Sequence, residues 1–193
     1  MRLARLVAEL MPDDAEAAGL AALLLLQHSR AAARVDYEGV LVPLAERSCS
    51  AWDDRLVAAG LTTLRSTVGR AALGPYQLQA LVAACHATAA RPEDTDWAMI
   101  VSLYDQLEAL MPSPAVRLNR AVAVAMRDGP GAALASLSTL DGTFPGHLLP
   151  AVRADLMRRL GRTDEARQQY ALALSAVLND GERRFLQRQV DSL

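Results

Sequence analysis

The stretch Gly74 to Trp97, GPYQLQALVAACHATAARPEDTDW, holds the side chains with the most chemical potential: Cys85 beside His86, then Glu93, Asp94 and Asp96, then Trp97. A cysteine and a histidine work as nucleophile and base only when their side chains meet. Neighbours on a helix project about 100° apart, so this pair cannot form a dyad. Cys85 reads as a small packed residue, and His86 as a helix-edge residue. The acids stand where a helix would begin, and there carboxylates cap free N–H groups and oppose the helix dipole. His28 and His147 have no cysteine or acid at ligand spacing. Neither a glycine-rich phosphate loop nor a G-x-S-x-G turn occurs. All 20 basic residues are arginine, which removes Schiff bases, P-loop lysines and Ser–Lys pairs from this chain. The expectation is a chain with no catalytic residue, no metal site and no cofactor.

The elements that must position these residues are helical. Hydrophobic residues make up 52% of the 193 residues, and apolar positions recur at steps of three and four almost throughout. The pattern predicts helices at about 2–10, 13–33, 51–69, 75–89, 95–110, 114–128, 130–140, 146–160, 163–178 and 180–191. Pro12, Pro112, Pro130 and Pro145 break them, and Gly129, Gly142 and Gly161 suit their C-terminal ends. Asp13, Ser50, Asp94, Ser113, Thr163 and Asp180 are the expected N-caps, and Trp52 and Trp97 the expected core aromatics. Val35 to Ser48, VDYEGVLVPLAERS, lacks helical period and reads as a short hairpin or loop, with a turn at Glu38-Gly39. No Pro/Gly/Ser-rich linker divides the chain, so a single domain over 1–193 is expected.

Other classes are disfavoured by composition. The net charge is −2 and aromatics are 4%, which gives no pull toward nucleic acid and few stacking platforms. The apolar run Gly19 to Leu26 is too short to span a bilayer and reads as a buried helix. Two cysteines far apart, Cys49 and Cys85, fit a reducing cytoplasmic compartment rather than a disulfide framework.

Three columns recur every 33 residues: Ile100, Ala133, Ala166; Tyr104, Leu137, Tyr170; and Leu107, Leu140, Ala173. Ala121 and Ala154 stand 12 residues before Ala133 and Ala166. Small residues at a fixed offset let two helices approach closely, and the large residue fills the space between helix pairs. This resembles the tetratricopeptide repeat. Ala154, Ala166, Tyr170 and Ala173 match its pattern in the last unit, and Ala121, Ala133, Leu137 and Leu140 in the one before. Pro112 falls at the repeat's terminal proline. The early tryptophan is missing, and extra residues intervene around Arg91 to Thr95. The implied fold is all-α: a tetratricopeptide-like helical-hairpin solenoid of about ten helices.

The resemblance extends further. RLARLVAELMPDDAEAAGLAALLLLQHSRAAARVD, SAWDDRLVAAGLTTL, the Gly74–Trp97 stretch, LYDQLEALMPSPAVRLNRAVAVAMRDGP and ADLMRRLGRTDEA follow one another. This order is similar to the C-terminal extension of a group of bacterial extracytoplasmic-function (ECF) RNA polymerase sigma factors. The resemblance implies an accessory, regulatory role in transcription initiation by protein–protein contact. The implied partners are the sigma regions of the full-length protein, the RNA polymerase core or another protein, with no direct DNA binding and no membrane. Sigma regions 2 and 4 are absent from this sequence, so the chain is expected to be a piece of a longer one. A small-molecule sensor domain and a stand-alone tetratricopeptide scaffold are the alternatives.

The partner-binding candidates follow from both readings. The resemblance gives Asn119, two residues before the small Ala121, the place of a groove-facing asparagine; Arg117 and Arg120 flank it. A structural bond between helices is the competing role for Asn119. A carboxylate clamp is not expected, because its cationic positions correspond to Leu148 and Val152. Tyr76, Gln77 and Gln79 oppose the apolar face Leu78, Leu81, Val82 and Cys85. They either line a groove or face water, and His86 joins Tyr76 and Gln79 as a candidate contact.

Overall fold

The computed structural model describes residues 1–42, 52–67, 69, 72–140, 142 and 144–193. Among these, ten α-helices form and no strand does: α1 (Arg2–Leu10), α2 (Ala15–Ser29), α3 (Asp54–Arg65), α4 (Pro75–Thr88), α5 (Trp97–Leu110), α6 (Pro114–Arg127), α7 (Pro130–Leu137), α8 (Leu148–Arg159), α9 (Thr163–Ala176) and α10 (Asp180–Asp191). The all-α expectation holds. No described helix is long and apolar enough to cross a membrane. The helices gather into two compact units. One takes Met1–Arg34 and the described part of Pro43–Met111; the other takes Val35–Val42 and the described part of Pro112–Leu193.

In the first unit α2 is the hub, packing against α1, α3 and α4, while α5 packs on α4. Apolar residues surround α2, so it buries itself on several sides at once. Its contacts are close because small residues stand at the crossings. A Cβ added at Gly19 would lie 2.9 Å from the Gln77 backbone nitrogen, and one at Gly60 would lie 2.8 Å from Leu26 Cγ. Ala22, Leu26, Leu64, Ala80, Ala83 and Ala84 are among the buried residues of this core.

In the second unit α7 packs on α6, α8 on α7, α9 on α8 and α10 on α9. The short link between α8 and α9 follows its residues. Gly161, at φ +73°, donates to Arg158 O (3.0 Å), and Arg162 N donates to Met157 O (2.9 Å), a Schellman closure that glycine permits. Ala121, Ala154, Ala133, Ala166, Leu137, Tyr170, Leu140 and Ala173, the repeated positions of this unit, are all buried.

Helix starts differ from expectation by a few residues. Asp14, not Asp13, caps α2, accepting from Glu16 N (2.8 Å) and Ala17 N (3.1 Å). Asp53 caps α3, accepting from Arg55 N and Leu56 N, so Trp52 precedes that helix; Ser50 lies outside the described residues. Asp96, not Asp94, caps α5 through Met99 N (2.9 Å), and Asn179, not Asp180, caps α10. Ser113 caps α6 as expected, through Val116 N (3.2 Å). Thr163 is inside α9 and no side chain caps it; Asp164 and Glu165 supply the negative charge its first turn favours. The helix expected over 13–33 stops at Ser29, whose hydroxyl donates to Leu26 O (2.7 Å). A 3₁₀ turn, Ala31–Ala33, follows.

The segment after it is a tight turn. An antiparallel bridge joins Val35 and Leu41, Gly39 takes φ +71°, and Asp36 Oδ1 accepts from Glu38 N and Val40 N, both at 2.9 Å. This agrees with the hairpin or loop expectation for the described part; residues 43–48 of that expectation lie outside it.

Candidate functional site

Gly74 to Trp97 is α4, a 3₁₀ turn and the start of α5. Its first residue, Gly74, has no side chain to cap α4, and a carboxylate from another helix does it instead. Glu16 of α2 accepts from Tyr76 N (2.9 Å) and Gln77 N (3.0 Å). A Cβ at position 74 would lie 2.3 Å from the Glu16 carboxyl carbon, so the glycine makes room for its own cap. Gln77, read as a polar-face residue, is instead 1% exposed. Its Oε1 accepts from Gly74 N (3.1 Å), it sits against Gly19, and its Nε2 is buried with no hydrogen-bond partner among the described residues.

Farther along α4, the His86 ring stands edge-on to Trp97, with centroids 5.3 Å apart at 70°. Burial, and secondly the nearby Arg30 guanidinium, push His86 down to about 4. The imidazole is therefore neutral at physiological pH and able to donate or accept one hydrogen bond. Arg30 also faces Tyr104, whose phenol burial raises, and bonds Gln27 Oε1. Arg30, His86, Trp97 and Tyr104 thus form a half-buried aromatic and cationic cluster drawn from three parts of one unit. Burial raises the Cys85 thiol, and Asp96 adds to the effect, so the thiol is held protonated and a poor nucleophile. Asp94 pairs with Arg91 at 2.8 Å and Asp96 with Met99 N, so neither carboxylate is bonded to His86. Both tryptophans, expected in the core, are half-buried.

The remaining candidates divide between units. Tyr76 is partly exposed on α4, and Gln79 Nε2 donates to Pro75 O (3.2 Å). Asn119, Arg117 and Arg120 lie on α6 of the second unit, with Asn119 and Arg117 exposed. Asn119 shares its face with Val122 and Met126 at helical spacing, both exposed. One period on, Arg159 of α8 donates to Ala125 O (3.2 Å) and approaches Met126 Sδ (3.9 Å). Neither Glu16 nor Arg30 carries a local sequence signal, because each acts across a helix contact about sixty residues away.

The first unit also holds two open depressions. One, about 590 Å³, lies over α2 between α1 and α3. The other, about 420 Å³, is lined by His28, Ser29, Trp52, Asp53 and Leu56 among others. Among the described residues no cluster of histidine, cysteine and acids could hold a metal ion.

Both units are built from packed α-helices, the second with a buried 33-residue period. Residues 1–68 match the model of a family of unknown function (DUF6596). A protein of Rhizobium meliloti (strain 1021), described as uncharacterized protein R00370, is 43% identical over 194 residues, covering 100% of this chain and 46% of the relative. The chain therefore spans about half the length of that relative. No solved structure matches.

Proposed function

We propose that this chain is a tetratricopeptide-type accessory domain of an ECF-type sigma factor, which tunes transcription initiation by protein–protein contact. The observation that carries the reading is the burial of the repeated columns: Ala121 with Ala154, Ala133 with Ala166, and Leu137 with Tyr170. The sequence order quoted above ties that architecture to the sigma-factor extension, and a relative more than twice this length is compatible with further regions. Contact would use the α6 face, Asn119 with Arg117, Arg120, Val122 and Met126, and the α4 residues Tyr76, Gln79 and His86. Sigma regions encoded by the same gene are the test partner. Immobilised chain is expected to retain them, and Asn119→Ala with Met126→Glu to reduce retention at least tenfold. A gene with no sigma regions, or no retention of them, overturns the assignment.

A second reading is a small-molecule sensor. The Arg30–His86–Tyr104–Trp97 cluster favours it, since a neutral imidazole beside a guanidinium suits a small anion. Thermal shift against pools of anionic metabolites tests it. Stabilisation by a pool that Arg30→Met abolishes supports it, and no stabilisation by any pool counts against it.

A further inference from the structure

Helix α10 carries two separate faces. Leu186 is buried in the core of the second unit, and Val190 packs against that core. Gly181, Arg184 and Arg188, spaced by three and four residues, share a different face, and on it sits a segment from far away in the chain. Residues 35–42, the tight turn described above, belong to the second unit although the chain on both sides of them belongs to the first. The α10 face holds this turn by its acids and by its backbone. Arg188 pairs with Asp36 (3.1 Å) and with Glu38. Arg184 Nη2 donates to Gly39 O (3.0 Å). Gly181 leaves room for that carbonyl, since a Cβ there would lie 2.9 Å from it. Val40 follows and is buried. The turn brings its own shape: Asp36 N donates to Val40 O (2.9 Å) and Gly39 N to Asp36 O (3.0 Å). A segment folded in advance loses little freedom on binding.

Little holds the turn down. The side chains of Arg188 and Glu38 are each 49% exposed and that of Asp36 is 25% exposed, and ion pairs so open to water are weak and screened by salt. Of residues 35–42 Val40 alone is buried, and Tyr37 stands out in solvent. A segment with so few buried apolar contacts opens well before the fold does. We infer that this α10 face is a binding site for an acidic turn of a protein partner, and that the chain's own residues 35–42 occupy it until such a partner displaces them. The segment now seated there defines the chemistry of the partner: two carboxylates two residues apart for Arg188, then a glycine whose carbonyl meets Arg184 over Gly181, then a small apolar residue in the place of Val40. The inference rests on contacts within the second unit and is independent of the sigma-factor reading.

Fluorescence anisotropy with a labelled peptide of residues 35–42, VDYEGVLV, tests it on the full 193-residue chain. Wild type is expected to bind the peptide weakly, because its own turn competes. Glu38→Gln with Gly39→Ala loosens that turn without touching α10, since alanine is strained at the φ of +71° that Gly39 takes. This variant is expected to bind the peptide at least tenfold tighter than wild type. Adding Gly181→Ala should reverse the gain at least tenfold while helical circular dichroism stays unchanged, because alanine suits a helix. A peptide with both acids replaced by their amides should bind the loosened variant at least threefold more weakly, and the difference should vanish in about 1 M NaCl. Equal affinity of wild type and the loosened variant, or binding to neither at about 1 mM peptide, overturns the inference. So does binding that Gly181→Ala leaves unchanged. Sedimentation equilibrium that shows wild type as a dimer dispersed by the peptide would put a second copy's turn in the site, and would overturn closure within one chain.

Discussion

His86 is the residue at which the structure makes the clearest quantitative demand. Its imidazole titrates near 4 when folded and near 6.5 when unfolded. Between those values the unfolded chain binds the extra proton, so stability rises with pH there. The folded state carries no penalty from His86 above pH 6.5, loses stability as pH falls through 6.5, and has lost the full amount below 4. That amount is about 2 kcal/mol once partial exposure is allowed for. Denaturant unfolding of wild type and His86→Leu at pH 7.5 and 4.5 isolates it from the carboxylates: the wild-type-minus-variant difference should shift against wild type by most of that amount at the lower pH. An unchanged difference would mean that the ring is solvated. Glu16 makes a second demand at this scale. Its carboxylate accepts from two N–H groups in the first turn of α4, so Glu16→Ala should cost about 1–2 kcal/mol, read by chemical denaturation. Glu16→Gln should cost less, because an amide oxygen still accepts one of the two N–H groups.

At the scale of helices, arginine does at the C-terminal ends what aspartate and asparagine do at the N-terminal ends. Arg153 of α8 donates to Leu137 O (3.0 Å), closing α7. Arg159 of the same helix closes α6 at Ala125 O. Arg183 of α10 donates to Leu174 O (3.1 Å) and Val177 O (2.7 Å), closing α9. Each arginine thereby satisfies carbonyls that a helix end leaves open and fastens one helix to another. A guanidinium fork reaches two carbonyls where an ammonium reaches one, so Arg183→Lys should cost about 1 kcal/mol despite the conserved charge, measurable as a lower unfolding midpoint. These contacts also show what the sequence could reveal. The spacing of Ala133, Leu137, Ala166 and Tyr170 predicted buried columns, because burial at helix contacts is written in residue size and period. The ends were harder. Asp13 and Asp14, Asp94 and Asp96, and Asn179 and Asp180 are equal capping candidates by type, and only the path of the chain into the helix chooses between them. Gln77 differs for another reason: its polarity signals a surface position, but its amide oxygen accepts from Gly74 N while its backbone lies against Gly19.

Across the whole chain, the longest-range connection within the second unit joins the turn at 35–42 to α10, roughly 150 positions away. Arg184 Nη2 donates to Gly39 O (3.0 Å), and Arg188 pairs with Asp36 (3.1 Å) and Glu38. Val40 is buried there. Non-local closure of this kind must overcome a large loop entropy, and exposed ion pairs contribute little toward it. The contact therefore depends on how closely the backbones approach. A Cβ at Gly181 would lie 2.9 Å from Gly39 O, so the first turn of α10 needs glycine to let the turn sit against it. Gly181→Ala should displace the turn while leaving α2, α4 and their core untouched. Native-state hydrogen exchange is the measurement that separates these outcomes. Faster exchange is expected at the Gly39 and Val40 amides and in the first turn of α10, with rates in α2 and α4 equal to wild type. Unchanged exchange at Val40 would mean that the ion pairs of Arg188, rather than backbone fit, hold the segment. Arg188→Ala should then produce the loosening that Gly181→Ala did not.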